Sequence, residues 1–209
     1  MAKISTYADT PPPTLDDFLL GTDVNNDNAT QNFLVSDLIN LIGNPYKVLT
    51  ALVSQSGTSV SSTKISGAVT KGVTYEIINS SNGNFSNVGA PNNNVGTFFI
   101  ATVTAVPNSY GSATLAFNTG APTLIILENN IGNVWATFNS DGYYTLNSNG
   151  LFTQDETAIF LGQYVDPEAA IRYGVEIQNQ SEITIGSANS SGGANNLFIK
   201  TPIEIRVYN

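Results

Sequence analysis

Gly120–Leu146 reads GAPTLIILENNIGNVWATFNSDGYYTL, and the reading of this stretch decides the fold. Thr123, Ile125 and Leu127 fall on one face of an extended strand, Leu124 and Ile126 on the other. A run apolar on both faces suits a strand covered on both sides. Val134, Ala136 and Phe138 then alternate with Trp135, Thr137 and Asn139, a period of two. Asp141-Gly142 follows, a pair that favours the two-residue hairpin turn in which both central residues take positive φ. Tyr143 to Leu146 returns as the partner strand. The stretch predicts the heart of one antiparallel sheet, with the other segments packed against it. Trp135, the only Trp of the chain, is expected in the core because it sits in the strongest strand.

Composition agrees with an all-β chain. Of 209 residues, 41% are apolar and only 11% are charged, against roughly 25% charged in ordinary soluble domains. Asn, Ser, Thr and Gly supply the polar surface instead, and these residues favour turns and strands over helix interiors. The length allows one large β domain with a small appendage. Net charge is −9, and no stretch is a basic patch, which argues against nucleic acid as a partner. There is no Cys for disulfides or thiol chemistry, and no His as general base or metal ligand. The N-terminus lacks an apolar signal core, and no window is long and apolar enough to insert in a membrane. A non-secreted product, made in a cytoplasm, is expected.

Around the central stretch the chain divides at residue 45. Residues 1–13, with Pro11-Pro12-Pro13, read as extended. Leu15–Asp23, a polar turn at 25–28, and Thr30–Val35 read as strand–turn–strand. Ser36 and Asp37 then start a short helix carrying Leu38, Ile39, Leu41 and Ile42, ended by Gly43 and Pro45. So small a unit cannot bury a core alone and must dock on something. From Tyr46 to Val53 runs a long strand. Shorter strands are expected at 73–78, 97–103 and 113–117, joined by an Asn-rich loop, 82–94, that is the expected exposed tip. Beyond the hairpin, 158–162 reads as a buried strand, 166–171 as a helical turn, 175–177 and 183–185 as strands, 186–196 as a loose loop, and 203–207 as a half-buried strand with Glu204 and Arg206 outward.

Two patterns resemble known proteins. Lys3-Ile4-Ser5, then Phe18–Asp23, then Asn32–Ile39 is similar to the leader of tailed-bacteriophage virion fibre and appendage proteins, a short anchor that plugs into the particle. Tyr46–Thr58, resumed at Ala121-Pro122 and running through Leu127-Glu128-Asn129-Asn130-Ile131-Gly132 to Val134-Trp135 and Gly142-Tyr143-Tyr144, resembles a β module of phage structural proteins. Residues 61–119 interrupt that module as an inserted β unit. The resemblance covers the chain up to about Leu161. It implies residues 1–44 as a virion anchor and 45–209 as an antiparallel β-sandwich or jelly-roll-like domain projecting outward. It implies a non-enzymatic structural component of the virion, a head fibre, tail fibre or decoration protein, with capsid or tail proteins as partners and a homotrimer as the closed assembly. Anchor contacts would come from Phe18, Leu19, Leu20, Phe33, Leu34, Leu38, Ile39 and Ile42.

No residue pattern calls for a cofactor, a metal or a catalytic group. Asp23-Val24-Asn25-Asn26-Asp27 opens like a calcium loop, but Asn28 replaces the Gly of the sharp bend and Leu34 the bidentate Glu, so an Asx-rich turn is expected. A glycan depolymerase would need two carboxyls across a cleft, drawn from Glu128, Asp141, Asp155, Glu156, Glu168 and Glu176; Asp155 and Glu156, if in a strand, point to opposite faces. A glycan-binding adhesin of the tail is the other alternative. For it, Phe85, Asn92 and Tyr110 in turn-rich segments are the candidate receptor contacts, with ordinary packing as the competing reading of the aromatics. Asn-x-Ser/Thr triplets such as Asn28-Ala29-Thr30 and Asn84-Phe85-Ser86 arise by chance in so Asn-rich a chain, and Ser191-Gly192-Gly193 lacks the context of a phosphate loop.

Overall fold

The computed structural model describes residues 14, 16, 18–23, 29–35, 45–79, 82–162 and 170–208. The chain divides into two compact units, Met1–Pro45 and Tyr46–Asn209. In the first, β1 (Phe18–Asp23) and β2 (Ala29–Leu34) pair antiparallel, from Phe18 opposite Leu34 to Asp23 opposite Ala29. The expected helix after Ser36, the proline-led segment 1–13 and the turn at 25–28 lie outside the described residues.

Among its described residues the second unit is built, apart from one 3-10 turn at Ser86–Val88, of strands. In chain order they are β3 (Tyr46–Ser54), β4 (Ser61–Lys64), β5 (Thr74–Asn79), β6 (Phe98–Ile100), β7 (Thr114–Asn118), β8 (Thr123–Asn129), β9 (Val134–Ser140), β10 (Tyr143–Ser148), β11 (Thr157–Leu161), β12 (Arg172–Asn179), β13 (Glu182–Asn189), β14 (Gly192–Gly193) and β15 (Thr201–Tyr208). One sheet has the order β11-β15-β3-β8; a second has β12-β13-β10-β9, with β14 on β13. Alternate residues of both turn inward, as the period of two demands. Leu49, Ala51, Val53, Leu124, Ile203 and Ile205 of the first sheet share one core with Val134, Ala136, Tyr144, Leu146, Ile183 and Ile185 of the second. Phe152 and Phe198 join the same core from loops. This is an antiparallel β-sandwich.

A third sheet, β4-β7-β5-β6, falls wholly between β3 and β8 in the sequence. It has its own core, centred on Tyr75, Ile77, Phe85, Val88, Phe99 and Leu115. β3 and β8 pair across it, Ser54 opposite Thr123, so the insertion leaves and re-enters the sandwich at one point. Buried Gln55 ties that neck: its Nε2 donates to the Gly57 carbonyl at 3.0 Å and the Gly120 carbonyl at 3.2 Å, and its Oε1 accepts from the Asn196 N–H.

Several expectations change. The Gly120–Leu146 stretch is not one sheet: β8 and β9 belong to opposite layers, and the chain crosses the sandwich between Asn129 and Val134. β8 is an edge strand covered only partly, with Leu124 N–H donating to the Gly72 carbonyl while Leu127 is 61% exposed. At the hairpin, Gly142 takes positive φ but Asp141 does not, and a bulge between Tyr143 and Tyr144 supplies the twist that the expected turn would have given. The 82–94 loop is exposed only in part: Asn82, Ser86, Asn87, Pro91, Asn92 and Asn94 face solvent, while Phe85, Val88 and Ala90 are buried. Asn93 Oδ1 accepts from Phe85 N–H, a bridge pairs Asn84 with Ser109, and a 3-10 turn at Ser86–Val88 drives Phe85 and Val88 into the core. β6 is shorter than 97–103, because after Ala101 the chain turns away and Thr102 N–H bonds Val88. β11 is an edge strand with Phe160 52% exposed, not a buried one. The 186–196 segment is ordered: β13 runs to Asn189, and Asn195 Oδ1 accepts from Gly142 N–H and from the Tyr144 hydroxyl. The expected helical turn at 166–171 lies largely outside the described residues. Among the described residues no helix is long and apolar enough to cross a membrane.

Candidate functional site

The feature with most chemistry in the second unit is an open cleft where the insertion meets β9. It starts with alternation. Val134 and Ala136 point into the sandwich, so Trp135 between them must point out. The insertion meets it there. Phe98 of β6 stacks on the indole, ring centroids 5.3 Å apart and planes 11° from parallel. Thr74 of β5 accepts, through its hydroxyl, the Ala136 N–H at 3.0 Å.

The walls are amides. Asn129 closes a tight turn, its Oδ1 accepting from Ile131 N–H and Gly132 N–H and its Nδ2 donating to the Gly132 carbonyl. That turn presents Asn133, whose Nδ2 donates to the Phe98 carbonyl at 2.9 Å. Opposite, Asn92 Oδ1 accepts from Asn94 N–H and from the Thr97 hydroxyl. Asn149, just past β10, completes the rim. The cleft measures about 410 Å³, and among the described residues no charged side chain lines it. Phe98 also borders a neighbouring cavity of about 270 Å³ against Thr137 and Phe138, where Glu76 is the one charged group.

Of the expected receptor contacts, only Asn92 is in this cleft and exposed. Phe85 is fully buried, stacked with Phe99 and edge-on to Tyr110, and cannot meet a receptor in this fold. Tyr110 is half-buried, with its hydroxyl bonded to the Gly67 carbonyl at 2.9 Å. Trp135 packs against the sandwich core, as expected, but from the outward side of β9 and only partly buried. Alternation carried the signal for that: an aromatic flanked by two inward residues faces away from them. Phe98, Asn133 and Asn149 had no signal of their own, since the insertion brings them together from distant positions.

Of the expected anchor residues, Phe18 is 64% exposed on β1 and Leu34 is half-buried on β2. Leu19 pairs with Phe33 and Leu20 with Asn32 in the backbone ladder. Leu38, Ile39 and Ile42 lie outside the described residues. Glu128, Asp141, Asp155, Glu156 and Glu176 are exposed, and Asp155-Glu156 form a turn before β11 rather than part of a strand; Glu168 lies outside the described residues. Among the described residues no group of three or more His, Cys, Asp or Glu side chains is gathered to hold a metal.

Neither a family model, nor a curated protein, nor a solved structure matches the chain. The fold and the site therefore define its class by themselves: an all-β sandwich with an inserted β unit and an uncharged aromatic–amide cleft at their junction.

Proposed function

We propose that the protein is a non-enzymatic structural component of a tailed-bacteriophage particle, attached through residues 1–44 and presenting the 45–209 domain outward. The observation that carries this is the contrast between the two units. The sandwich and its insertion each have a buried core. Among the described residues of the first unit, β1 and β2 make a sheet of two strands, and such a hairpin is marginal in water by itself. Its Phe18 offers apolar surface for burial against another protein. The likeness of the 3–39 segment to phage appendage leaders supplies the partner class, a capsid or tail protein, and a closed homotrimer is the assembly that fits such appendages.

The test is incorporation. Particles produced with the full chain should carry it through purification. Particles produced with residues 1–44 deleted should lack it, although the 45–209 domain still folds. Full incorporation of the deleted form would sink the proposal.

A further inference from the structure

We infer that the cleft between the insertion and β9 is a binding site for a neutral oligosaccharide. This goes beyond the assembly role and depends on a different part of the molecule.

The floor comes first. Trp135 packs against the sandwich core on one side, stacks on Phe98 on another, and keeps part of its surface in water. Aromatic rings kept in place with one edge or face in water suit the C–H faces of sugar rings. The walls come second. An amide offers donors and an acceptor on one rigid group, which matches adjacent hydroxyls that both give and accept. Asn92 and Asn133 are each fixed by one end, Oδ1 and Nδ2 respectively. The opposite end of each has no hydrogen-bond partner among the described residues, and exposed Asn149 makes no side-chain bond among them. Groups already fixed lose little freedom when a ligand arrives. The volume, about 410 Å³, lies within the usual range for a small-molecule site, roughly 300–1,000 Å³.

Charge selects among ligands that stack. Nucleobases also lie on aromatic rings, but their phosphates need cations. The cleft has none, and the chain carries −9. Acidic sugars meet the same repulsion. A neutral saccharide loses nothing to it.

The test uses the full chain. Trp135 is the only Trp, so its fluorescence reports directly from the floor of the cleft. The probes are neutral oligosaccharides of glucose, galactose and N-acetylglucosamine, with a uronic-acid oligosaccharide as the charged comparator. A saturable fluorescence change is expected with a neutral probe, and a weaker response or none with the acidic one. Asn149→Ala should keep the thermal midpoint of the full chain and weaken binding about tenfold, the loss of roughly one well-made hydrogen bond. Asn92→Ala should weaken it similarly. Silence from every neutral probe into the millimolar range overturns the inference. So does preference for the acidic probe, or unchanged affinity in both variants. A chain that enters particles but fails these titrations sinks this inference and leaves the assembly role standing.

Discussion

A methyl group added at Gly142 would lie 2.3 Å from both the Ala194 nitrogen and the Ser187 carbonyl oxygen, and the residue's φ is +76°. Both neighbours are backbone, so neither can swing aside. Gly142→Ala is therefore expected to cost about 3 kcal/mol, combining overpacking with a left-handed φ. Gly67 has a similar φ of +77° with nothing within 4 Å of the added carbon. Gly67→Ala should cost only about 1 kcal/mol. Urea midpoints of the two variants, at constant slope, measure the difference. Tyr144, the buried residue beneath the same hairpin, makes a second prediction. Burial pushes its hydroxyl up to about 12, against hydrogen bonds with Ser187 and the Gly142 backbone that pull it down. Burial, with Tyr75 nearby, pushes Tyr110 up to about 12 as well. The native chain thus holds these protons more tightly than the unfolded chain, whose tyrosines titrate near 10. Their contribution to stability is complete below pH about 10 and is lost as pH climbs through about 12. Urea midpoints taken across that window should fall with pH, and Tyr144→Phe should flatten the fall. The same substitution removes the 2.7 Å bond to Asn195 and should cost about 1 kcal/mol at neutral pH.

The insertion behaves as an element in its own right, because its ends enter beside each other at Ser54 and Thr123. Replacing residues 58–119 by a short Gly-Ser linker should leave a sandwich with strand-type circular dichroism and cooperative unfolding. It should be less stable by roughly 2–5 kcal/mol, since the sandwich core loses Ile100, and Leu124 N–H and Ala136 N–H lose Gly72 and Thr74 as partners. Trp135 emission should move to the red once Phe98 is gone. A chain that no longer unfolds cooperatively would show that the sandwich core cannot close without Ile100 and the rest of the insertion. The strands themselves were legible where the period of two was strong, as in β9 and β15, and where apolar and β-forming residues ran together, as in β3 and β5. A separate β unit within residues 61–119 was expected too, and the third sheet lies there. What could not be read was which strands share a layer. Thr123–Leu127 is apolar on both faces, and nothing local tells whether a sheet, an insertion or solvent covers each. β4, Ser61–Lys64, has no apolar residue at all and pairs only because β7 offers it an edge. Phe85 looked like a loop residue because its neighbours are Asn and Ser. Those same Asn side chains, by bonding the backbone, fold the loop inward. The cleft was illegible for a related reason: its aromatic pair and its amides come from three segments far apart in sequence.

Across the whole molecule, the sandwich begins and finishes in adjacent strands. β15 lies between β11 and β3, with Tyr208 opposite Tyr46 and their rings 5.4 Å apart. Removing residues 201–209 should therefore abolish folding rather than trim it. It would strip Ile203 and Ile205 from the core and leave β3 and β11 with unpaired edges, so insoluble product is the expected result on expression. Pairing strands so far apart in sequence also predicts slow refolding, in the millisecond-to-second range typical of such topologies, measurable by stopped-flow Trp135 fluorescence. The antiparallel partnership of β3 and β15 has a mechanical side as well. A tug applied between positions 46 and 208 would peel one strand from the other rung by rung, the weakest direction in which a ladder can be loaded.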